Sequence, residues 1–168
     1  MSLWPFRYPT LRIAQPGGLP ECPYFYRTVL DFRAFAIRLH WWNASDDQEA
    51  LHDHPYWFLT MVLWGAYDDL SEHAQEGDSR ISLVLPDRLR IGSIRFRRAS
   101  HKHTVKIKKR PTITLLITGP NEHRWGFWVG KKRFGRDKYF AEIGHHPCDP
   151  VYDWKPRIRM KPDGTRIN

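Results

Sequence analysis

Residues 51–63 read LHDHPYWFLTMVL and residues 101–103 read HKH, and both stretches lie in segments that alternate like β-strands. In a strand, residues i and i+2 point to the same face. The rings of His52 and His54 are therefore predicted to project side by side, with Asp53 pointing the other way. A third imidazole from a second strand would complete one face of a metal site. Three neutral imidazoles around an open position suit Zn, Fe, Cu or Ni.

Short segments of alternating character recur along the chain and are separated by Gly, Pro, Asn and Asp, as at Gly77-Asp78, Pro86-Asp87 and 119–121. This spacing is typical of an antiparallel sandwich or barrel. Residues 30–37 are ambiguous between a strand and a helical turn. The strands are predicted at Arg33–Trp42, Tyr56–Tyr67, Arg80–Leu85, Ser93–Arg98, Thr104–Lys108, Thr112–Thr118 and Trp125–Val129.

The first histidine segment resembles the first motif of the cupin superfamily, G-x5-H-x-H-x3,4-E-x6-G. His52, His54 and Gly65 stand at motif positions. Asp46 stands where the motif has its first Gly, and Phe58 stands where it has the metal-binding Glu. The match is therefore partial, and the fourth ligand of the family's metal is missing from its usual place.

The second histidine segment resembles the second cupin motif, G-x5-P-x-G-x2-H-x3-N. Gly92 and His103 fall at the right separation, whereas Arg98, Ser100 and Ile107 replace Pro, Gly and Asn. By this resemblance His103, rather than His101, is the matching ligand. The amino-acid sequence of residues 30–130 is also similar to that of a group of cupin-like bacterial and phage proteins without an assigned activity.

The resemblance implies a site for one divalent metal ion, Fe, Zn, Ni or Mn, held by His52, His54 and His103. Three-His cupins are known as oxygenases, and a site without a ligand carboxylate leaves the metal a stronger Lewis acid with more open positions. Other side chains remain open as additional ligands or pocket residues, namely His101, Glu49, Asp68 and Asp69. A degenerate cupin that no longer binds metal is the alternative.

The predicted fold class is all-β, an antiparallel jelly-roll (cupin-like) β-barrel with irregular, Pro-rich terminal arms. The 168 residues suit one domain, with a barrel core over about residues 30–144 and arms over residues 1–29 and 145–168. Cupins commonly form dimers by swapping terminal strands, so the arms suggest a homodimer. The arms are marked by Pro5, Pro9, Pro16, Pro20 and Pro23, and by Pro147, Pro150, Pro156 and Pro162.

Strand alternation in residues 93–98 is predicted to turn Ile94, Phe96 and Arg98 inward and Arg95 and Arg97 outward. An inward guanidinium in a metal barrel would clamp a carboxylate or phosphate, so a small anionic molecule is the expected ligand. A salt bridge with an internal acid is the other role open to Arg98. Two aromatic residues, Tyr67 and Trp125, are further candidates for binding the substrate, with core packing as their alternative.

The formal net charge of +9 raises a second hypothesis, binding to nucleic acid or another polyanion. The chain contains no recognised nucleic-acid motif, and a solvated outer sheet face is the competing explanation. The basic residues are concentrated in the second half: Arg95, Arg97, Arg98, Lys102, Lys106, Lys108, Lys109, Arg110, Arg124, Lys131, Lys132, Arg133, Arg136 and Lys138.

No run of apolar residues approaches the roughly twenty that a membrane span requires, and residues 1–7 do not resemble a secretory signal. The expected location is the cytoplasm of a bacterium or of a phage host. Cys22 and Cys148 are expected to be free thiols.

The sequence leaves open whether the protein is an enzyme. The favoured function is a metal-binding, cupin-like protein that acts as an iron-dependent dioxygenase on a small anionic molecule. The alternatives are a non-catalytic ligand-binding or phage-associated structural protein with a degenerate site, an isomerase or epimerase of a sugar derivative, and a nucleic-acid-binding protein.

Overall fold

The protein is described by a computed structural model that covers residues 9–19, 22–46, 50–74, 82–144, 159–160 and 166–167. Twelve strands and one short helix occupy these ranges. They are β1 (Thr10–Leu19), β2 (Cys22–Asp31), β3 (Ala36–Trp42), β4 (Leu51–Asp53), β5 (Phe58–Ala74), β6 (Ser82–Arg90), β7 (Ile94–Arg97), β8 (His103–Thr118), β9 (Gly126–Val129), β10 (Lys132–Gly135), α1 (Arg136–Glu142), β11 (Arg159–Met160) and β12 (Arg166–Ile167).

The first ten strands form one sheet in which every pairing is antiparallel, which confirms the predicted all-β fold class. Along one edge of β8 runs β5, and along the other edge lie β3 and then β4. The path β1-β2-β3-β8-β4-β9-β10 does not close on itself. Strand β8 thus lies between β5 on one side and β3 and β4 on the other. All four strands contribute residues to the cavity of the candidate site.

Strand β8 runs without interruption through residues predicted as two strands, Thr104–Lys108 and Thr112–Thr118. Its partner β5 accommodates it with register shifts between Val62 and Tyr67. Alternation in β8 is clear in its second half, where Thr112, Thr114 and Thr118 are buried. β-Branched residues favour such a pleated, half-buried surface, so this second half of the strand follows from the local sequence.

The prediction of an irregular arm over residues 1–29 is wrong for the described part of that range. Strands β1 and β2 form a hairpin, and β2 continues the sheet beside β3. Pro16 lies in β1, an edge strand of the sheet, and edge strands tolerate proline. Phe25 and Val29 are buried on the inner side of β2. At the other end, β11 and β12 form a two-residue pairing within the arm predicted over residues 145–168.

A hairpin and a helix close one end of the sheet. Strands β9 and β10 pair with each other, and α1 follows directly. Phe127 of β9 stacks on Tyr139 of α1 with ring centroids 4.2 Å apart, and Tyr139 is fully buried. Apart from Trp125–Val129, these elements were not predicted. Residues 30–37 form the end of β2, a turn and the start of β3 rather than a helical turn.

The inner face of β7 is the opposite of the predicted one. Ile94 and Phe96 are 49% and 54% exposed, whereas Arg97 is only 17% exposed in its side chain. Arg97 points inward because it binds two carboxylates, those of Asp69 and Asp87. Alternation revealed the strand correctly, but polarity did not reveal which face is buried.

No helix in the described part of the chain is long and apolar enough to cross a membrane. Neither cysteine side chain is among those described, so the expected free thiols remain a prediction.

Candidate metal centre and its cavity

Three histidines, His52, His54 and His103, form a compact cluster. One ring nitrogen from each lies within 4.8 Å of the others. The ring centroids are 4.8 to 5.1 Å apart, and Nε2 of His54 is 2.9 Å from Nε2 of His103. The structure thus brings together the three residues that the two sequence motifs singled out.

Strand pairing explains how residues so far apart in sequence meet. His52 of β4 is the direct cross-strand partner of His103 of β8, and such partners have Cβ atoms about 5 Å apart. His54 follows two positions after His52, so its ring returns to the same side. Asp53 points away, as predicted, and its buried carboxylate accepts hydrogen bonds from Trp128 Nε1 and Arg133 Nε, both at 2.8 Å.

The cluster is electrically suited to metal binding. Burial lowers the pKa of His52 and of His54 well below the usual range, and the neighbouring histidines lower both further. Both rings are therefore neutral at physiological pH, which is the form that binds a metal.

Asp69 orients His103. Its Oδ1 lies 2.7 Å from His103 Nδ1 and accepts a hydrogen bond from that N–H group. This hydrogen bond directs Nε2 of the same ring toward the cluster. Burial raises the pKa of Asp69, but interactions with His103 and His101 outweigh it and hold the pKa below its usual range. Arg97 donates to the other oxygen of Asp69 and also to Asp87, which in turn binds Arg95. A carboxylate that fixes the tautomer of a ligand histidine is a common outer partner of metal sites.

The place of the missing motif Glu is occupied by an aromatic wall. Phe58 is buried, and its ring centroid lies 4.8 Å from that of His54.

Three carboxylates were considered as replacements for the Glu. Asp68 binds Arg88 and Lys108, Asp69 lies behind His103, and Glu49 lies outside the described residues. Asp46 was not among the predicted ligands, yet its Oδ2 is 3.9 Å from His52 Nε2. Its place in the motif was the only signal.

His101 belongs to a second group, with Asp69 and His103, that has metal-ligand spacing. Its Nε2 lies 3.5 Å from Asp69 Oδ2, too far for a normal hydrogen bond. His103 is shared between both groups. Of the two, only the group with His52 and His54 has all three members on the wall of a cavity.

The cavity has a volume of about 320 Å³ and is lined by side chains from both walls of the sheet. This volume is at the lower end for ligand sites. Tyr67 and Trp125, predicted as substrate-binding residues, line it. Burial raises the pKa of Tyr67, so its hydroxyl stays protonated, and the buried Nε1 of Trp125 has no hydrogen-bond partner in the described structure.

Arg98 does not reach the cavity. It follows the last residue of β7 and is exposed, so the predicted inward orientation is wrong. The reason is the reversed face of β7. The cavity instead contains Arg27, Arg38 and His40, which sequence reasoning did not select. The sequence signal for these residues was the alternation of polar and apolar side chains in β3. It is inverted, because the polar Arg38 and His40 face the cavity and the apolar Leu39 and Trp41 are exposed.

The donors present fit a divalent metal. The three ring nitrogens lie within 4.8 Å of one another, and the Nε2 atoms of His54 and His103 are 2.9 Å apart, so the three imidazoles are close enough to share one ion. All three donors are imidazoles, which suit Zn, Cu, Fe and Ni. The cluster could therefore hold one divalent metal ion, as the sequence predicts.

No family model matches the chain, and no curated protein matches it. Solved structures do. An RmlC-like cupin from Shewanella frigidimarina is 15% identical over 67% of this chain and 86% of its own, with a TM-score of 0.47. The DMSP lyase DddQ from Ruegeria pomeroyi is 16% identical over 77% of this chain and 62% of its own, with a TM-score of 0.48.

A variant of oxalate decarboxylase from Bacillus subtilis is 10% identical over 68% of this chain and 28% of its own, with a TM-score of 0.46. At these identities and TM-scores, the chemistry of the site has to be argued from the chain's own residues.

Proposed function

We propose that the protein binds one divalent metal through His52, His54 and His103 and uses it to transform a small anionic molecule held in the adjoining cavity. The observation that carries the proposal is the three-imidazole cluster on the wall of that cavity. The favoured reaction class is iron-dependent dioxygenation, in which both atoms of O₂ enter the substrate and no external reductant is consumed.

The metal, when bound, would supply Lewis acidity and open positions for substrate and oxygen. The chain's own residues hold the ligands and limit water. Asp69 keeps the proton on His103 Nδ1. Phe58 and Trp125 place aromatic surface beside His54 and His52, at centroid distances of 4.8 and 6.0 Å. These contacts favour a dry, rigid ligand set.

The surface charge gives less support to nucleic-acid binding than the sequence suggested. Several of the basic residues are already paired with carboxylates, among them Arg95, Arg97, Lys108 and Arg133. A polyanion would have to compete with those ion pairs. A degenerate, non-catalytic binding protein remains the main competitor, and metal content separates it from the proposal.

The test is metal content by plasma mass spectrometry on the untagged protein, beside three single variants, His54→Ala, His101→Ala and His123→Ala. We expect close to one equivalent of metal in the wild type, lost in His54→Ala and retained in the other two. His123 is exposed and serves as the matched control. Loss in His101→Ala with retention in His54→Ala would place the metal in the second group instead.

A second measurement addresses the reaction class. The metal-depleted protein is reconstituted with Fe(II), and oxygen consumption is followed with a panel of small organic acids. Substrate-dependent oxygen uptake that disappears in His54→Ala supports dioxygenation. Absence of bound metal in every sample, even after reconstitution, would favour the degenerate binding protein.

A further inference from the structure

The wall of the cavity formed by β2 and β3 carries three basic side chains, Arg27, Arg38 and His40. Arg27 is the direct cross-strand partner of His40, and Arg38 lies two positions before His40 on the same face of β3. All three line the cavity. They are therefore neighbours on one inner surface rather than a chance set of basic residues.

Several polar atoms of these groups have no partner in the described structure. Both ring nitrogens of His40 and the Nε of Arg27 are buried without a hydrogen-bond partner. Within the described ranges, neither Arg27 nor Arg38 forms an ion pair with a carboxylate. The Arg38 side chain donates a hydrogen bond from Nε to Thr118 Oγ1 at 3.1 Å, and this acceptor is neutral.

Arg97, which also points inward, differs from Arg27 and Arg38 because it is paired with two carboxylates, those of Asp69 and Asp87. Burial lowers the pKa of Arg38 and the charge of Arg27 lowers it as well, while Tyr56 and Asp31 offset part of that decrease. A buried positive charge without a direct carboxylate partner, beside unpartnered polar atoms, is costly in a protein interior. A group that persists at such a cost points to a ligand that supplies the missing negative charge.

The position of the wall relative to the histidine cluster is suitable for one ligand that touches both. The guanidinium carbon of Arg38 lies 4.6 Å from the centroid of the Tyr56 ring, and that ring stacks on His54 at 5.9 Å. A single aromatic ring thus separates the basic wall from the candidate metal ligands. The remaining lining is largely aromatic, including Phe25 and Trp42.

We propose that Arg27, Arg38 and His40 form an anchor for the carboxylate of a small organic acid, whose body extends along the aromatic lining toward His54. Planar guanidinium groups bind carboxylates through paired, charge-assisted hydrogen bonds. Neutral His40 adds one N–H donor. The inference deepens the proposed function, on which it rests for the reaction at the other end of the ligand, and it replaces Arg98 as the anion-binding residue.

The first experiment measures binding of benzoate, and of its neutral analogue benzamide, to the metal-free full-length protein. Tryptophan fluorescence is a suitable signal because Trp42 and Trp125 line the cavity. We expect saturable binding of benzoate and binding of benzamide that is about tenfold weaker or more. Because metal is removed, a metal cannot account for capture of the carboxylate.

The second experiment compares Arg27→Gln and Arg38→Gln with Arg90→Gln. Arg90 is exposed and lies outside the cavity lining, so its variant removes the same charge without touching the anchor. Each anchor variant is expected to weaken benzoate binding about tenfold, while the control binds as the wild type does. Arg27→Lys and Arg38→Lys, which keep the charge but lose the planar fork, should fall in between.

Stability separates a binding role from a structural one. Within the described ranges Arg27 forms no ion pair and its Nε has no hydrogen-bond partner, so Arg27→Gln should leave the ligand-free protein as resistant to urea as the wild type, or more so. A large loss of stability in that variant would show a structural arginine and overturn the proposal.

Equal binding of benzoate and benzamide would also overturn it, as would unchanged benzoate binding in both Gln variants. Binding of inorganic phosphate in preference to benzoate would overturn the carboxylate assignment. Failure of the metal test with intact, Arg27-dependent benzoate binding would reject the proposed metal chemistry and leave the anchor standing.

Discussion

Asp69 shows how one residue outside the ligand set governs the candidate metal centre. It touches none of the three clustered nitrogens directly but holds His103 through Nδ1 at 2.7 Å. Asp69 and His103 are diagonal neighbours on adjacent strands. His103 pairs with Ser71, and Asp69 lies two positions before Ser71 on the same face of β5. The sequence contains both residues without any sign that they meet.

Replacing Asp69 should therefore weaken metal binding without removing a ligand. We expect Asp69→Asn to lower the affinity of the wild-type site for Zn²⁺ by about 10- to 100-fold, since outer partners of ligand histidines typically contribute that much. Competition with a chromophoric chelator measures it. Asp87→Asn is the matched control one step further along the same network, and it should have a smaller effect. Equal affinities in Asp69→Asn and the wild type would contradict the positioning role.

His40 should make the metal-free protein sensitive to acid. Burial, together with the positive charges of Arg27 and Arg38, lowers its pKa to about 3. Below the usual histidine pKa of about 6.5, the unfolded chain takes up a proton that the folded chain refuses. The stability that neutral His40 provides is therefore complete above that pH and is lost progressively as the pH falls toward 3.

Between pH 7 and pH 5 this loss amounts to about 2 kcal/mol from His40. Urea unfolding at the two pH values measures it in the wild type and in His40→Gln, whose side chain does not titrate. The variant should lose correspondingly less stability on acidification. His123→Gln, at an exposed position, should behave as the wild type. An identical pH dependence in all three proteins would contradict the prediction.

At the scale of elements, Gly65 marks the point where β5 and β8 approach closely. Its φ is +80°, and a Cβ there would lie 2.5 Å from Thr112 Oγ1 and 2.6 Å from the carbonyl oxygen of Pro111. Gly92 has a similar φ of +84° but no atom within 4 Å of such a Cβ. A comparison of Gly65 with Gly92, the two glycines at motif positions, therefore distinguishes the cost of backbone strain alone from the additional cost of steric conflict.

Gly92→Ala should destabilise the protein by about 1–2 kcal/mol, the cost of a left-handed conformation for a residue with a Cβ. Gly65→Ala should cost more, because the conflict with backbone atoms of β8 adds to the same strain. The measurement is the free energy of unfolding in urea. Equal losses in the two variants would show that the close approach of β8 does not determine the need for glycine.

Elements were predictable where the period of the side chains is clear. Two-residue alternation identified the strands that carry the histidines, and it placed Asp53 opposite His52. It could not identify the buried face of β3 or β7, because in both strands charged or polar side chains turn inward and apolar ones turn out. Helix α1 was missed because seven residues are too few to establish a helical period.

At the scale of the whole molecule, an apolar row crosses the outer face of the sheet. Leu39 pairs with Leu115, Leu115 with Met61, and Met61 with Ile94, so one row spans four strands. Leu39, Met61 and Ile94 are exposed. Contiguous exposed apolar surface on a soluble protein is typical of an interaction site.

The homodimer predicted from the sequence stays a prediction, and this face gives it a concrete form in which a second copy covers the row. Light scattering should then give a mass about twice the 20.0 kDa of the chain. Leu39→Asp with Met61→Asp should yield monomers, because buried unpaired charges oppose association, whereas Leu39→Met with Met61→Leu should stay dimeric. A monomeric wild type at high concentration would refute the prediction.

The all-β fold, the strands that carry the histidines and the set His52, His54 and His103 follow from the sequence, because strand period and i, i+2 spacing are local properties. The anchor residues Arg27, Arg38 and His40, the support of Asp69 for His103 and the exclusion of Arg98 depend on the tertiary structure. They are decided by which faces of distant strands meet around one cavity. Polarity alone does not reveal this arrangement, since a polar cavity inverts the usual order of apolar inside and polar outside.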